Sequence, residues 1–277
     1  MTYPTASPRQ RLTGIALMCG AVACFGCLDA TGKYLNLHMN TMEVVWARYA
    51  SGFVLAFAIS NPLTKPGIMI TSRPLLQLTR SVLMLSGALL NFVALRYLQM
   101  DQTQSIVFST PFLVSALAGP MLGEWIGWRR WIAIVVGFMG VMLVIRPGLN
   151  MHPAALISVA AAFCYALYNI TTRMLSRSDS NETQLFYGNL VGVGLMSLVV
   201  PFVWTTPDSF FVVAMMIFAG VLGSFGHYLM IAGHKLAPAS LLSPFMYTLR
   251  SAKRFLVESD QNKQNRSLAK DSVVGDC

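Results

Sequence analysis

The chain has 277 residues, 55% of them hydrophobic and only 11% charged, with a mean hydropathy of +0.58. A soluble domain carries about 25% charged residues, so a water-borne globule of this length could not clothe its surface. Disordered and fibrous classes are excluded by apolar residues along almost the whole chain. The formal charge of +9 comes in small clusters between apolar runs, not as a stripe, which argues against nucleic acid and for charges that orient membrane helices.

Met1 to Arg11 is polar and carries Arg9 and Arg11. The apolar run that follows, Leu12 to Leu28, is too long for a signal-peptide core and is succeeded by further spans, so it reads as a retained first helix. A bilayer core of about 30 Å needs roughly 20 helical residues. Runs that meet this fall near 12–34, 43–60, 75–95, 102–122, 130–146, 153–172, 183–204 and 209–232. The turns between them carry Asn61-Pro62, Lys65-Pro66-Gly67, Asp101, Arg146-Pro147-Gly148, Pro153 and Pro207-Asp208, which stop or start helices. With the amino terminus inside, Arg9, Arg11, Lys65, Arg73, Arg129, Arg130, Arg173, Arg177 and Lys235 fall on cytoplasmic turns, against Lys33, Arg96 and Arg146 outside. That excess predicts a multi-pass inner-membrane protein with a cytoplasmic amino terminus.

An internal repeat is visible at an offset of 140 residues. Ala21-Val22-Ala23-Cys24-Phe25 with Asp29 to Tyr34 is matched by Ala161-Ala162-Phe163-Cys164-Tyr165 with Asn169 to Met174. Each copy sets a small-residue face, a polar residue, then a cation at the helix end. Five spans separate the copies, so the second enters the membrane from the opposite face, an inverted repeat suited to alternating access. The predicted fold is all-α, two inverted repeats of five helices, the second incomplete: eight full spans and a partial ninth. Residues 11–148 form the first repeat, 153–249 the second and 250–277 a polar, basic, flexible tail. The ninth span, from Pro238 to Leu249, is cut short by Arg250, Lys253 and Arg254. That switch fits a shortened copy of a longer transporter better than a natural variant with a partial bundle. Homodimerisation would cover the face so exposed.

Intramembrane charge is expensive and faces protein or a watery cavity. Asp29 lies late in the first span with Lys33 one turn on, an i,i+4 spacing that can neutralise itself locally; it serves a solute or proton path or snorkels near the outer surface. Arg48 lies about five residues into the second span, where it pairs with Asp29 or a solute anion, or else snorkels. Asn91, Gln104, Tyr165, Tyr168, Asn169, Tyr187 and His227 supply neutral polar groups that either orient a solute or join helices. Gly119 with Gly123, and Gly188 with Gly192, make close-packing faces; Pro111 marks a kink. Trp125, Trp128 and Trp131 around Arg129-Arg130 read as a headgroup belt. The cysteines read as small hydrophobes, and neither a metal pattern, a nucleotide-cradling loop nor a triad appears. Hence no enzyme, cofactor or metal is expected.

Ala94-Leu95-Arg96-Tyr97-Leu98, Pro111, Gly123-Glu124, Gly137 to Val141 and Arg146-Pro147-Gly148 resemble the EamA-type branch of the drug/metabolite transporter superfamily, as does Leu236 to Phe245. The resemblance covers about residues 11–248. It implies ten helices in two inverted five-helix repeats, a central cavity and transport of small metabolites. Arg96 to Thr103 looks like importers of riboflavin or nucleoside-like metabolites. The later Gly-Glu and the last helices are missing. The expected function is secondary transport of a small organic solute through the bilayer, with proton coupling left open; a non-transporting, truncated membrane protein is the alternative.

Overall fold

The computed structural model describes residues 8–60, 66–107, 109–123, 152–176, 178–237 and 239–242, with isolated positions between 127 and 139. The expected fifth span, most of the ninth and the tail lie outside the described residues. Among those described, the chain is helical: α1 (Pro8–Leu35), α2 (Thr41–Ser60), α3 (Pro74–Tyr97), α4 (Met100–Val107), α5 (Thr110–Leu122), α6 (Ala154–Leu175), α7 (Asn181–Val199), α8 (Phe210–Leu236) and the short α9 (Ala239–Leu242). Six segments are long and apolar enough to cross a membrane, namely Arg9–Leu35, Pro74–Tyr97, Ser105–Leu122, Ala154–Leu175, Asn181–Phe202 and Phe210–Leu236. α2 is not among them; it carries Glu43 and Arg48 in its first half.

The helix ends follow local chemistry. Pro74 opens α3, where a missing N–H costs nothing. Ser180 and Ser209 cap α7 and α8 by accepting from the amides of Thr183 (3.0 Å) and Val212 (3.3 Å). Within the expected fourth span two helices are described, α4 and α5, and Pro111 falls in the first turn of α5. Gly123 ends α5 at φ 71 with open space around it, so it acts as a left-handed terminator.

Large apolar side chains such as Leu75, Leu198, Phe202, Phe210, Ile217 and Phe225 point outward. Inside, Arg48, Arg80, Asn91, Tyr168, Asn169, Asn189, His227 and His234 are buried. Apolar outside and polar inside is a membrane protein's arrangement, since water would not tolerate so wide an apolar surface.

Closest packing joins α1 to α8 and α3 to α6, while α2 and α7 pack on each other and across both pairs. End contacts fix the directions. Lys33, at the end of α1, donates to the Leu95 carbonyl and, at 2.8 Å, to that of Leu98 at the end of α3. Lys33 therefore caps a neighbouring helix and does not pair with Asp29 as the spacing had suggested. Arg173, at the end of α6, donates to the His234 carbonyl near the end of α8. Glu43, in the first turn of α2, accepts from the Thr205 amide and, at 2.8 Å, the Thr205 hydroxyl, just ahead of α8. Asp179, just ahead of α7, accepts from the Thr71 hydroxyl (2.5 Å) and the Ser72 amide (3.2 Å), just ahead of α3. So α1, α3 and α7 run one way and α2, α6 and α8 the other.

Glycines set the closest approaches. A Cβ on Gly192 would land in the Tyr49 ring, and one on Gly188 would sit 3.0 Å from the Met84 sulfur, whereas one on Gly194 would meet nothing within 4 Å. Gly192→Ala is therefore expected to destabilise the protein by about 1–3 kcal/mol through overpacking. Gly194→Ala, in the same helix, gains about 1 kcal/mol at most from helix propensity. Thermal unfolding in detergent, followed by circular dichroism, checks the pair; equal midpoints would count against this packing.

Candidate functional site

Helices α1 to α6 and α8 line a cavity of about 90 Å³, well above the roughly 10–15 Å³ that one water requires. Its polar lining is Asp29, Arg48, Asn91, Thr110, Tyr165, Tyr168, Asn169 and His227, and its apolar lining includes Phe25, Phe92, Pro111 and Met230. Seven of the nine residues expected on a solute path thus share one wall. Tyr187 does not: its hydroxyl donates to the Met69 carbonyl at 2.8 Å, at the rim of the bundle. The side chain of Gln104 lies outside the described residues.

Arg48 is nearly fully buried. Its Nη2 donates to His227 Nε2 at 2.8 Å, and its guanidinium stands 5.0 Å from the Tyr49 ring centroid and 6.0 Å from that of Phe92, within cation–π range. The expected partner Asp29 is instead held by Asn91, whose Nδ2 donates to Oδ1 at 2.9 Å. Opposite charges therefore line one cavity from different helices, each with a neutral hydrogen-bond partner.

From His227 the polar chain continues through the wall. Its Nδ1 lies 2.9 Å from the Tyr168 hydroxyl, which accepts from Arg80 Nη2 at 3.1 Å. Arg80 also donates through Nε to the Thr172 hydroxyl (3.0 Å) and through Nη1 to the Gln184 carbonyl (2.9 Å), and its guanidinium lies 4.9 Å from the Tyr168 centroid. Arg80 is fully buried. Among the described residues, neither Arg48 nor Arg80 contacts a carboxylate. Beyond Arg80, Gln77 and Gln184 are fully buried and neither amide nitrogen nor oxygen has a partner.

Sequence reasoning singled out Arg48 but passed over Arg80. The signal was present, since Arg80 lies six residues inside α3 with no acidic residue within a helical turn or two on its own helix. Its partners come from α6 and α7, about 90 to 100 positions away, which no local pattern reveals.

Asn169 joins the site to α8: its Nδ2 donates to the Tyr165 carbonyl (2.7 Å), and its Oδ1 faces His234 Nε2 at 3.0 Å. Glycines keep the wall thin. A Cβ on Gly223 would come 2.9 Å from Arg48 Nε, and one on Gly226 2.8 Å from the Phe25 ring. The arrangement offers a cation, an anion, amide and phenol groups and flat apolar rings. That is equipment for holding a polar organic molecule by charge, hydrogen bonds and stacking. Among the described residues no group of three or more histidine, cysteine or acidic side chains is placed to hold a metal.

Comparison with known proteins gives a consistent picture. Residues 12–146 match the EamA-like transporter family. An S-adenosylmethionine uptake transporter of Rickettsia conorii is 27% identical over 242 residues, covering 85% of this chain and 80% of the relative. A riboflavin transporter of Vibrio cholerae is 26% identical over 245 residues, covering 84% and 80%. A solved crystal structure superposes with a TM-score of 0.68 at 15% identity, over 85% of this chain and 83% of that one, and so shares the fold.

The Tyr168 hydroxyl serves Arg80 and His227 at once, whereas no hydrogen bond joins the Tyr165 hydroxyl to a described residue. Tyr168→Phe leaves two buried donors short and is expected to cost about 1–3 kcal/mol. Tyr165→Phe is expected to stay within about 0.5 kcal/mol. Unfolding midpoints of both in one detergent test the difference, and equal losses would contradict the assigned bonds.

Proposed function

From the match of residues 12–146 to the EamA-like transporter family, we propose that this membrane protein is a secondary transporter of a small zwitterionic metabolite carrying a flat ring. The observation that carries the reading is one cavity that presents Arg48 and Asp29 from different helices and is walled by Phe25, Phe92 and Tyr165. A solute carboxylate meets Arg48, a cationic group meets Asp29, and an aromatic ring lies against the apolar wall. S-adenosylmethionine has all three features, and relatives carry its name. Riboflavin, the second reading, has the flat ring but lacks the carboxylate and the cation, and rests on relatives named for it.

Alternating access between two inverted repeats, residues 11–148 and 153–249, is part of this proposal. Its support is a set of matched contacts in which α1, α2 and α3 correspond to α6, α7 and α8. Lys33 reaches the end of α3 as Arg173 reaches that of α8. Phe25 lies over Gly226 as Tyr165 lies over Gly87. Glu43 holds the segment before α8 as Asp179 holds the segment before α3, each accepting one threonine hydroxyl and one backbone amide. Every pair exchanges the two halves, and each helix of one half runs opposite to its counterpart. An amino terminus in the cytoplasm of a cell with an inner membrane fits the cations Arg9, Arg11, Arg73, Arg173 and Lys235, which gather where α1 and α3 begin. The unpartnered Gln77 and Gln184 amides lie between Arg80 and that same end, and mark the closed half of the path.

Uptake of radiolabelled S-adenosylmethionine and of riboflavin by proteoliposomes holding the full chain tests the proposal. Saturable S-adenosylmethionine flux is expected to fall about 10-fold or more in Arg48→Gln and in Asp29→Asn, the scale of one lost charged hydrogen bond. Riboflavin flux alone, indifferent to both substitutions, would replace the first reading by the second. No flux of either would remove both.

A further inference from the structure

His227 is 3% exposed, and both its ring nitrogens are engaged. A guanidinium has only donors and keeps its proton in proteins. The 2.8 Å contact with Arg48 Nη2 therefore obliges Nε2 to accept. The imidazole proton then stands on Nδ1 and is donated to the Tyr168 oxygen. That oxygen also accepts from Arg80 Nη2. The surroundings thus select one neutral tautomer of His227.

A proton on Nε2 would set donor against donor and cation against cation. Arg48 and a proton are consequently alternative occupants of one lone pair. The charged and titratable groups around the ring are Arg48 from α2, Arg80 from α3 behind Tyr168, Tyr168 and Tyr165 from α6, and Asp29 from α1 across the cavity. Phe25 of α1 covers the ring face at 4.8 Å between centroids, and on α7 the neutral Asn189 donates to Ser224, three residues before His227 on α8.

We infer that His227 is a proton-binding site gated by Arg48: when an anionic group in the cavity draws the guanidinium away, the vacated Nε2 lone pair takes a proton. The Nη2–H···Nε2 hydrogen bond breaks and an Nε2–H bond forms, with the proton supplied by water on the open side of the cavity. The anion that engages Arg48 also offsets the new imidazolium charge. Anion and proton therefore bind together. When Arg48 returns, it displaces the proton to the aqueous side then open, and nothing is oxidised or consumed. The solute half of this inference rests on the transport reading above; the competition between Arg48 and the proton rests on geometry alone.

Nitrogen-15 histidine NMR of the full chain in nanodiscs reads it directly, with His227 assigned by the signals lost in His227→Gln. At neutral pH without solute, the Nδ1–H tautomer is expected; an Nε2–H tautomer would overturn the inference. In Arg48→Gln, still without solute, the protonation midpoint is expected to rise by about one pH unit or more. An unchanged midpoint would also overturn it. Gly223→Ala, whose new Cβ would press on Arg48 Nε at 2.9 Å, retains every side chain of the site and is expected to shift the midpoint the same way; it decides the matter if Arg48→Gln does not fold. With S-adenosylmethionine as probe in weakly buffered detergent solution, the native chain is expected to take up about one proton per molecule bound and His227→Gln none. Binding without proton uptake would sink the coupling. If this probe does not bind, the proposed substrate fails, and the solute-free midpoints of Arg48→Gln and Gly223→Ala decide the inference by themselves.

Discussion

The organising constraint is the placing of two guanidinium groups, Arg48 and Arg80, inside a bundle whose outer surface is apolar. Burying an isolated cation costs several kcal/mol even after relaxation, and no described carboxylate touches either one. The cost is offset locally by oxygens, a ring nitrogen and aromatic faces. Arg80 spends three donors on Thr172, Gln184 and Tyr168, and Arg48 lies between His227, Tyr49 and Phe92. Once those partners are required, much of the interior is determined. α6, α7 and α8 must bring Tyr168, Gln184 and His227 to one level, and Gly192 and Gly223 must be small so that Tyr49 and Arg48 can lie flat against α7 and α8.

Such an interior is better suited to holding a passing solute than to maximising stability. Apolar residues of similar volume at these positions would commonly be as stable or more so. On the transport reading, a cavity lined by both Asp29 and Arg48 offers a zwitterion one attraction for each of its charges. Because the attraction is directed to both ends of the solute, it also orients it. On the transport reading, recognition and transport are linked by the same side chain, since moving Arg48 toward a solute alters what His227 can bind.

Much of this was legible in the sequence, for an identifiable reason. Long uncharged runs are intolerable in water, so the helices announce themselves by composition, and a polar residue within such a run has few places to go but inward. Asp29, Arg48, Asn91, Tyr165, Tyr168, Asn169 and His227 could therefore be read as one group before their contacts were known. The pairing was not legible. Lys33 sits one turn from Asp29, yet it reaches the free carbonyls at the end of α3, because helix ends lack partners for their last C=O groups and the cation finds them across the helix interface. Tyr187 lies on a helix whose neighbouring positions are buried, but its long phenol extends to the Met69 carbonyl at the rim. Both outcomes depend on which helix stands beside which, and hydrophobic periodicity carries no such information.

On the transport reading, the two ends of the bundle bear on how the cavity would open. At one end Glu43 holds Thr205; at the other Asp179 holds Thr71 and Ser72. Each carboxylate accepts one hydroxyl and one backbone amide, and each ties the start of a central helix to the segment leading into a helix of the opposite half. Contacts of like chemistry have like strength, so releasing one end while retaining the other changes the total little in either direction. An access equilibrium needs such a balance, because a solute can shift populations only by the difference in its affinity for the two states. A bundle strongly latched at one end alone would demand more differential binding than one small molecule supplies. On the transport reading, the matched carboxylates explain how a solute held only by Arg48, Asp29 and a few rings can suffice to decide which side is open.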